Sequence, residues 1–341
     1  NSRWFINGET CGISRFKTMI FENYSRSEAA LISCMVEMVL NGVSTRKVSK
    51  VVETLCGTSY SKSTVSELCK ELDQKVKEFR TRPITGEYPF LTIDATYFKA
   101  RENHRIISKA FMIAYATDDQ GHREILGFGV YANESKETWK SFIRDLKARG
   151  LRNVLMITSD AHEGLCDAIS KEFPQAAWQR CQFHFSKNIA EKAPKKYQAG
   201  IRSELSEMFN CITIEEARRK RDSIIADYQE VAESAMTCLD EGFESSMTAM
   251  ILPKYLRQYF RTSNHIERIN RELKRRSKVI GVFPNEASIL RLMGSVLMEL
   301  NDAAQARKVL FSPKTYNKLM STEVKNKLII LANEQQLLRV S

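Results

Sequence analysis

Residues 87–99 read EYPFLTIDATYFK, and the rest of the chain is organised around them. Phe90, Leu91, Ile93, Tyr97 and Phe98 are apolar, aromatic or β-branched, and Pro89 stands at the start, so the stretch reads as a buried strand. Asp94 sits in its middle. A carboxylate inside an apolar strand is costly to bury unless partners offset its desolvation. Such an Asp caps a turn, pairs with an arginine or holds a metal ion. One carboxylate does not choose among these, so the neighbouring stretches must.

After this strand comes the polar turn Arg101-Glu102-Asn103, then a long strand from His104 to Thr117. The turn Asp118-Asp119-Gln120-Gly121 leads to a third strand, Arg123 to Tyr131. Short turns predict that these three strands are antiparallel. Ser135 to Arg149 reads as an amphipathic helix with Trp139, Phe142, Ile143 and Leu146 inward, stopped by Gly150. Asn153 to Asp160 is a short apolar strand ending in an acid, Glu163 to Phe173 a helix closed by Pro174, and Ala176 to Phe185 a last strand. Hairpins feeding helical crossovers predict an α/β mixed sheet with helices on its faces, in the order of a ribonuclease H-like fold.

Upstream, Arg26 to Leu40, Ser44 or Thr45 to Cys56, and a stretch capped by Ser61 with Val65, Leu68, Leu72, Val76 and Phe79 inward read as three helices. Short helices with tight turns suit a helix-turn-helix module over about 26–80. Lys62, Ser63, Thr64 and Lys70 would then face the groove, with Arg46 and Lys47 on phosphates. The plainer alternative is a three-helix bundle with a solvated face, and the net charge of only +3 over residues 1–80 gives DNA contact mild support. Thr81-Arg82-Pro83 marks a boundary. The expected organisation is a helical DNA-binding region (1–82), a first part of the catalytic core (83–185), a helical insertion (186–254), and a second part with C-terminal helices (255–341).

The 341 residues, 43% of them hydrophobic, suffice for two or three domains with real cores, and no apolar run is long enough to span a membrane. Residues 1–10 have no signal-peptide core and no initiator Met, so an upstream segment is expected. Eight cysteines without C-x-x-C pairs fit a reducing compartment. The net charge of +11 is focused: residues 254–280 carry nine Lys/Arg against two Glu, whereas 185–252 carry nine against twelve acids. Focused charge points to a nucleic-acid surface.

Asp94 and Asp160 stand 66 residues apart at strand ends of one sheet. The third acid that such a site wants is Glu267, in the first turns of the helix HIERINRELKRRSKV, whose exposed side is expected to carry Arg268, Arg271, Lys274, Arg275 and Arg276. Each acid has a bland reading: Asp160 as a helix cap, Glu267 as a capping-box partner of Asn264. Their joint order is more telling. Three such carboxylates suit two Mg²⁺ or Mn²⁺ ions, which serve in-line displacement at phosphorus. Cys181 and His184 form a C-x-x-H pair expected in the last strand. With His162 and Cys166 they form a poorly spaced zinc set, and a structural role is the better reading. Trp178 is expected in the core rather than stacked on a base.

At these residues the chain resembles the Mutator-type transposases of bacterial insertion sequences. The matching stretches include GVSTRKVSKVVETLCGTSYSKSTVSELCKEL, FLTIDATY, ITSDAHEGL, FPQAAWQRCQFHF and TSNHIERINRELKRRSKVIGVFPNEAS. The resemblance implies a DDE recombinase with a helical insertion between the second Asp and the Glu, and a triad of Asp94, Asp160 and Glu267. It also implies double-stranded DNA partners (terminal inverted repeats and target), a homodimer, and a cytoplasmic, nucleoid-associated location without membrane. A junction-resolvase-like nuclease, or a domesticated DNA-binding protein without catalysis, is the rival expectation.

Overall fold

The computed structural model describes residue 31 and residues 34–56, 61–321 and 323–340. The expected helix start at Arg26 and the link at 57–60 lie outside them. Five strands form one mixed sheet in the order β3-β2-β1-β4-β5: β1 is Phe90–Glu102, β2 Arg105–Thr117, β3 Arg123–Tyr131, β4 Met156–Ser159 and β5 Ala177–Arg180. β1, β2 and β3 are antiparallel neighbours, while β4 and β5 run parallel to β1. The alternation of apolar residues thus produced a two-faced sheet, because the side-chain period of a strand is two.

One face carries Leu91, Ile93, Met112 and Ala114 against Trp139, Phe142 and Leu146 of α4 (Lys136–Ala148) and Leu165 and Ile169 of α5 (Glu163–Glu172). Before the sheet, a helical stretch that includes residues 34–40 is followed by α1 (Thr45–Cys56), α2 (Lys62–Leu68) and α3 (Leu72–Thr81). The insertion is α6 (Gln182–Lys192), α7 (Lys195–Phe209), α8 (Ile214–Tyr228) and α9 (Glu233–Ser246). Then come α10 (Lys254–Phe260), α11 (Asn264–Ser277), α12 (Glu286–Gln305), α13 (Pro313–Ser321) and α14 (Glu323–Val340). The second face of the sheet packs Phe98, Phe111, Ile113 and Phe128 on Ile266, Ile269 and Leu273 of α11 and on Met293 and Val296 of α12.

Several expectations need correction. The strand foreseen over 176–185 stops at Arg180, because Cys181 opens α6 and places His184 in a helical first turn. The third N-terminal helix is broken by a 3-10 turn at Cys69–Glu71. Its second half leaves the small Met35–Val48–Val52–Val65 core, and Val76 joins the core of the sheet. Gly294 of α12 permits this approach, since a Cβ there would lie 2.4 Å from a Val76 methyl. Arg291 adds a paired contact to Asp73 at 2.7 Å. The closing helix foreseen over 315–338 is two helices, α13 and α14. No helix among the described residues is long and apolar enough to cross a membrane.

Candidate active site

Parallel pairing of β1 with β4 sets Thr92 beside Thr158. Two residues past that pair stand Asp94, inside β1, and Asp160, just beyond the end of β4, near enough for the Asp160 carboxylate to act on that of Asp94. Asp94 is only 8% exposed. Asp160 follows β4 and accepts the His162 N–H at 3.3 Å; the helix cap itself is His162, which excludes the plain capping role for Asp160.

The helix bearing Glu267 is stitched to the ends of β4 and β5. Thr158 donates to the Phe260 carbonyl at 2.6 Å, and Gln182 N–H to the Arg261 carbonyl at 3.0 Å. Buried Cys181 accepts the Ser263 N–H at 3.3 Å, its sulfur lies 3.2 Å from the Ser263 hydroxyl, and that hydroxyl donates to Glu267 at 3.1 Å. Glu267 is therefore held by the C-x-x-H segment, and the Asn264 capping box does not form. One turn along α11, Asn270 donates its amide to Asp94 at 2.8 Å. The amide oxygen of Asn270 is buried with no partner among the described residues.

Burial pushes the Asp94 carboxyl up to about 7, the Asp160 and Glu134 carboxylates add to the rise, and His184 and the Ala95 N–H oppose it. His184 is pushed up to about 9, first by the Cys181 sulfur and then by Asp94 and Glu267, against its own burial. Burial, then Asp160, also raises Glu134 on the loop before α4, while the Tyr97 hydroxyl hydrogen-bonds it. Four carboxyl groups and one imidazolium thus share this corner, an excess of oxygen donors and negative charge that suits a hard cation.

Among the described residues, the one trio of His, Cys and acid donors within 4.8 Å of one another is Cys181, His184 and Glu267. His162 and Cys166 do not complete a zinc set with it. In the metal-free protein the trio supports Glu267, through the Cys181–Ser263–Glu267 chain of contacts. The Trp178 indole donates to Ser159 at 2.9 Å and packs on the sheet core.

The basic residues divide. Arg268, Arg271 and Lys274 are exposed on α11 and form no ion pair among the described residues. Arg275 is exposed but clasps Glu272 through two hydrogen bonds at 2.6 and 2.7 Å. Arg276 is not on the exposed side: it is 5% exposed, pairs with Glu272 and Glu299, and donates to the Leu40 carbonyl, which ties α11 to the N-terminal helices. Arg46 and Lys47 are exposed on α1. Ser63 and Thr64 are exposed, but their hydroxyls are engaged with Ser61 at 2.6 and 2.9 Å, and Lys70 pairs with Glu67 at 2.8 Å. Lys62 begins α2; its side chain lies outside the described residues.

Sequence reasoning missed Asn270, Glu134 and Tyr97. Asn270 carried a signal, being three residues from Glu267 and so on the same helix face. Glu134 carried none, since only the folded loop brings it to the strand ends.

The fold and the site define an α/β protein with a cluster of acids where the parallel strands of a mixed sheet end beneath a helix. The family described as "Transposase, Mutator family" matches residues 13–306. The transposase for insertion sequence element IS256 in transposon Tn4001 of Staphylococcus aureus is 43% identical over 290 residues, covering 84% of this chain and 74% of that protein. The IS1081 transposase of Mycobacterium tuberculosis is 39% identical over 297 residues, covering 85% and 70%. The ISRM5 transposase of Rhizobium meliloti is 36% identical over 287 residues, covering 84% and 72%. The chain belongs to the Mutator family of transposases.

Proposed function

We propose that this protein is the transposase of an insertion sequence, cutting DNA at the element's ends and joining the freed strand to new DNA through a DDE site of Asp94, Asp160 and Glu267. The observation that carries the reading is the placement of Asp94 in β1 and Asp160 at the end of the parallel neighbour β4, with the Glu267 helix packed on the same sheet face and bonded to Asp94 through Asn270. The strand order and the antiparallel β1–β2–β3 unit agree with a ribonuclease H-like core, and α1–α2 with a helix-turn-helix module for the element's ends.

Asp94, Asp160 and Glu267 would hold two Mg²⁺ or Mn²⁺ ions; the donors are hard oxygens, and burial, with the Asp160 carboxylate beside it, raises the Asp94 carboxyl, a cost that a bound cation would offset. Bound ions would stabilise the attacking and leaving oxygens of each phosphoryl transfer. The protein's own groups fix the geometry. Asn270 holds one Asp94 oxygen, Ser263 holds one Glu267 oxygen, and cationic His184 balances the acids. Arg268, Arg271 and Lys274 lie on the helix that carries Glu267 and would neutralise backbone phosphates. A homodimer would bring two ends together.

A strand-transfer assay with duplex DNA carrying the element's ends and Mg²⁺ tests the reading. Cleavage with joining is expected. Cleavage alone would make the protein a nuclease, and binding alone a DNA-binding factor.

Two further outcomes follow from the geometry. Asn270→Ala should lower Mg²⁺-dependent cleavage by about 10- to 100-fold, the usual cost of losing a partner that orients a ligand. It should also raise the Mg²⁺ concentration for half-maximal rate. An unchanged Mg²⁺ requirement would reduce Asn270 to packing. Arg271→Ala with Lys274→Ala should weaken binding to all duplex DNA and lower the log–log salt slope by about 1.8, roughly 0.9 per phosphate contact. An unaltered slope would make this side of α11 a merely solvated face.

A further inference from the structure

The β1–β2 hairpin outruns its sheet. β3 pairs with β2 only as far as Ala110, and β4 pairs with β1 only at Phe90–Thr92. Beyond the acids, residues 97–109 therefore continue as a two-stranded ribbon. The ribbon is fixed, not loose. Its turn is tight, with Asn103 and His104 at φ of 48° and 63°. On one face, Phe98 and Ala100 pack in the core with Phe283. Lys99 and Arg101 exchange backbone hydrogen bonds with Phe283 at 2.8 and 2.9 Å. Lys109 bonds Glu102 and Glu286 at 2.6 Å each.

The opposite face is uncovered among the described residues. Tyr97, Lys99 and Arg101 alternate along β1, and the pairing register sets Ser108 and Ile106 beside Lys99 and Arg101. Tyr97 is 45% exposed and Ile106 55% exposed. Lys99 and Arg101 are exposed and form no ion pair among the described residues. The strip starts at the site itself, since the Tyr97 hydroxyl hydrogen-bonds Glu134.

We infer that this face of the ribbon is a DNA-backbone track that leads the duplex into the acid cluster, with Lys99 and Arg101 each on a backbone phosphate and Tyr97 at its inner end. The inference rests on the proposed DNA-processing role and adds a surface to it. At about 3.4 Å per residue, Lys99 and Arg101 lie roughly 17 and 24 Å along the strand from Asp94. Duplex DNA rises 3.4 Å per base pair, so the strip matches about seven base pairs beside the reacting phosphate. Charge selects the occupant. Among the described residues the face offers two cations without ion-pair partners, Lys99 and Arg101, and no acid, which attracts a polyanion and repels a second copy of the same face. The site's own acids would repel phosphates, and a cationic rail beside them offsets that.

The test uses the full chain and a random-sequence duplex, with binding followed by fluorescence anisotropy across a salt series. Lys99→Gln with Arg101→Gln should lower the log–log salt slope by about 1.8, and the charge-keeping pair Lys99→Arg with Arg101→Lys should retain the wild-type slope. An unchanged slope in the Gln pair, or an equal loss in the charge-keeping pair, overturns the inference. The transposase reading stands or falls separately, on whether the wild-type protein cleaves and joins end DNA with Mg²⁺. Asp94→Asn, in which catalysis is removed but the rail is not, should keep the wild-type slope; a slope that moved with Asp94→Asn would place the DNA charge contacts at the acids and overturn the rail.

Discussion

Asp94→Asn, Asp160→Asn and Glu267→Gln should each abolish strand cleavage and joining, with losses of about 1000-fold or more, since each removes a charged oxygen from the one place where transition-state charge must be stabilised. DNA binding should survive in all three. Asp94→Asn should also leave a second signature. In the metal-free protein, the Asp94 carboxyl titrates at about 7 instead of its usual 3.8. The folded state therefore keeps a proton that the unfolded chain has released. This favours folding below about pH 4 and is lost as pH rises through 7. His184, raised from 6.5 to about 9, works in the same direction, its contribution present below about 6.5 and fading as pH passes 9. The metal-free wild type should thus melt lower at pH 9 than at pH 5. Asp94→Asn is neutral at every pH and keeps the shape, so it should melt above wild type at pH 8. Mg²⁺ should raise the melting temperature of wild type but not of the variant. Thermal scans with and without Mg²⁺ check both effects. A triad variant with near-wild-type activity would leave the site.

How much of this was legible in the sequence differs by element. The β1–β2–β3 unit and α4 were readable because alternation, turn residues and a Ser135 cap all agreed. The acids were readable as a set only through their order along the chain, since distance in sequence hides the β1–β4 pairing that ends just before Asp94 and Asp160. The start of α6 was misread because Phe183 and Phe185 continue a strand-like alternation, while Phe185 and Ile189 already follow the helical four-residue spacing. Arg276 was misassigned through its place in the run KRRSK. Its position told more than its charge: Ile266, Ile269, Leu273 and Arg276 share the three- and four-residue spacing of the buried stripe. The Asn270–Asp94 bond and the approach of Glu134 join residues far apart in the chain, and no local pattern records them.

The insertion gives the other large effect. Its core is its own: Phe185, Ile189, Leu205, Ile224, Leu239 and Phe243 pack together, and no strand residue belongs to that cluster. A plain cover for the sheet would share apolar residues with it, so covering is not what these helices do. They are tied to the sheet at one corner instead. Gln179 and Gln182 both donate to the Ser246 carbonyl, at 2.7 and 2.8 Å, and Gly242 allows α9 to lie against Phe185 and Arg180 of the β5–α6 junction. That junction also holds Cys181, which supports Glu267 through Ser263. The insertion is thus a compact body hinged beside the acids, and its net negative charge disfavours tracking along phosphates. Replacing residues 193–245 by a Gly/Ser linker should leave a cooperative melting transition and Mg²⁺ binding by the sheet. It should abolish the joint processing of two DNA ends, because the surface that organises the second end or the second protomer is gone. Gly242→Leu is the milder companion: a side chain where a Cβ already meets Phe185 at 2.3 Å should cost about 1–3 kcal/mol and loosen the hinge. Native gels with paired end duplexes read out the joint complex, and calorimetry reads out the fold. Loss of the melting transition in the linker variant would return the insertion to a scaffolding role. A variant that melts normally and still pairs and joins two ends would assign the insertion neither role.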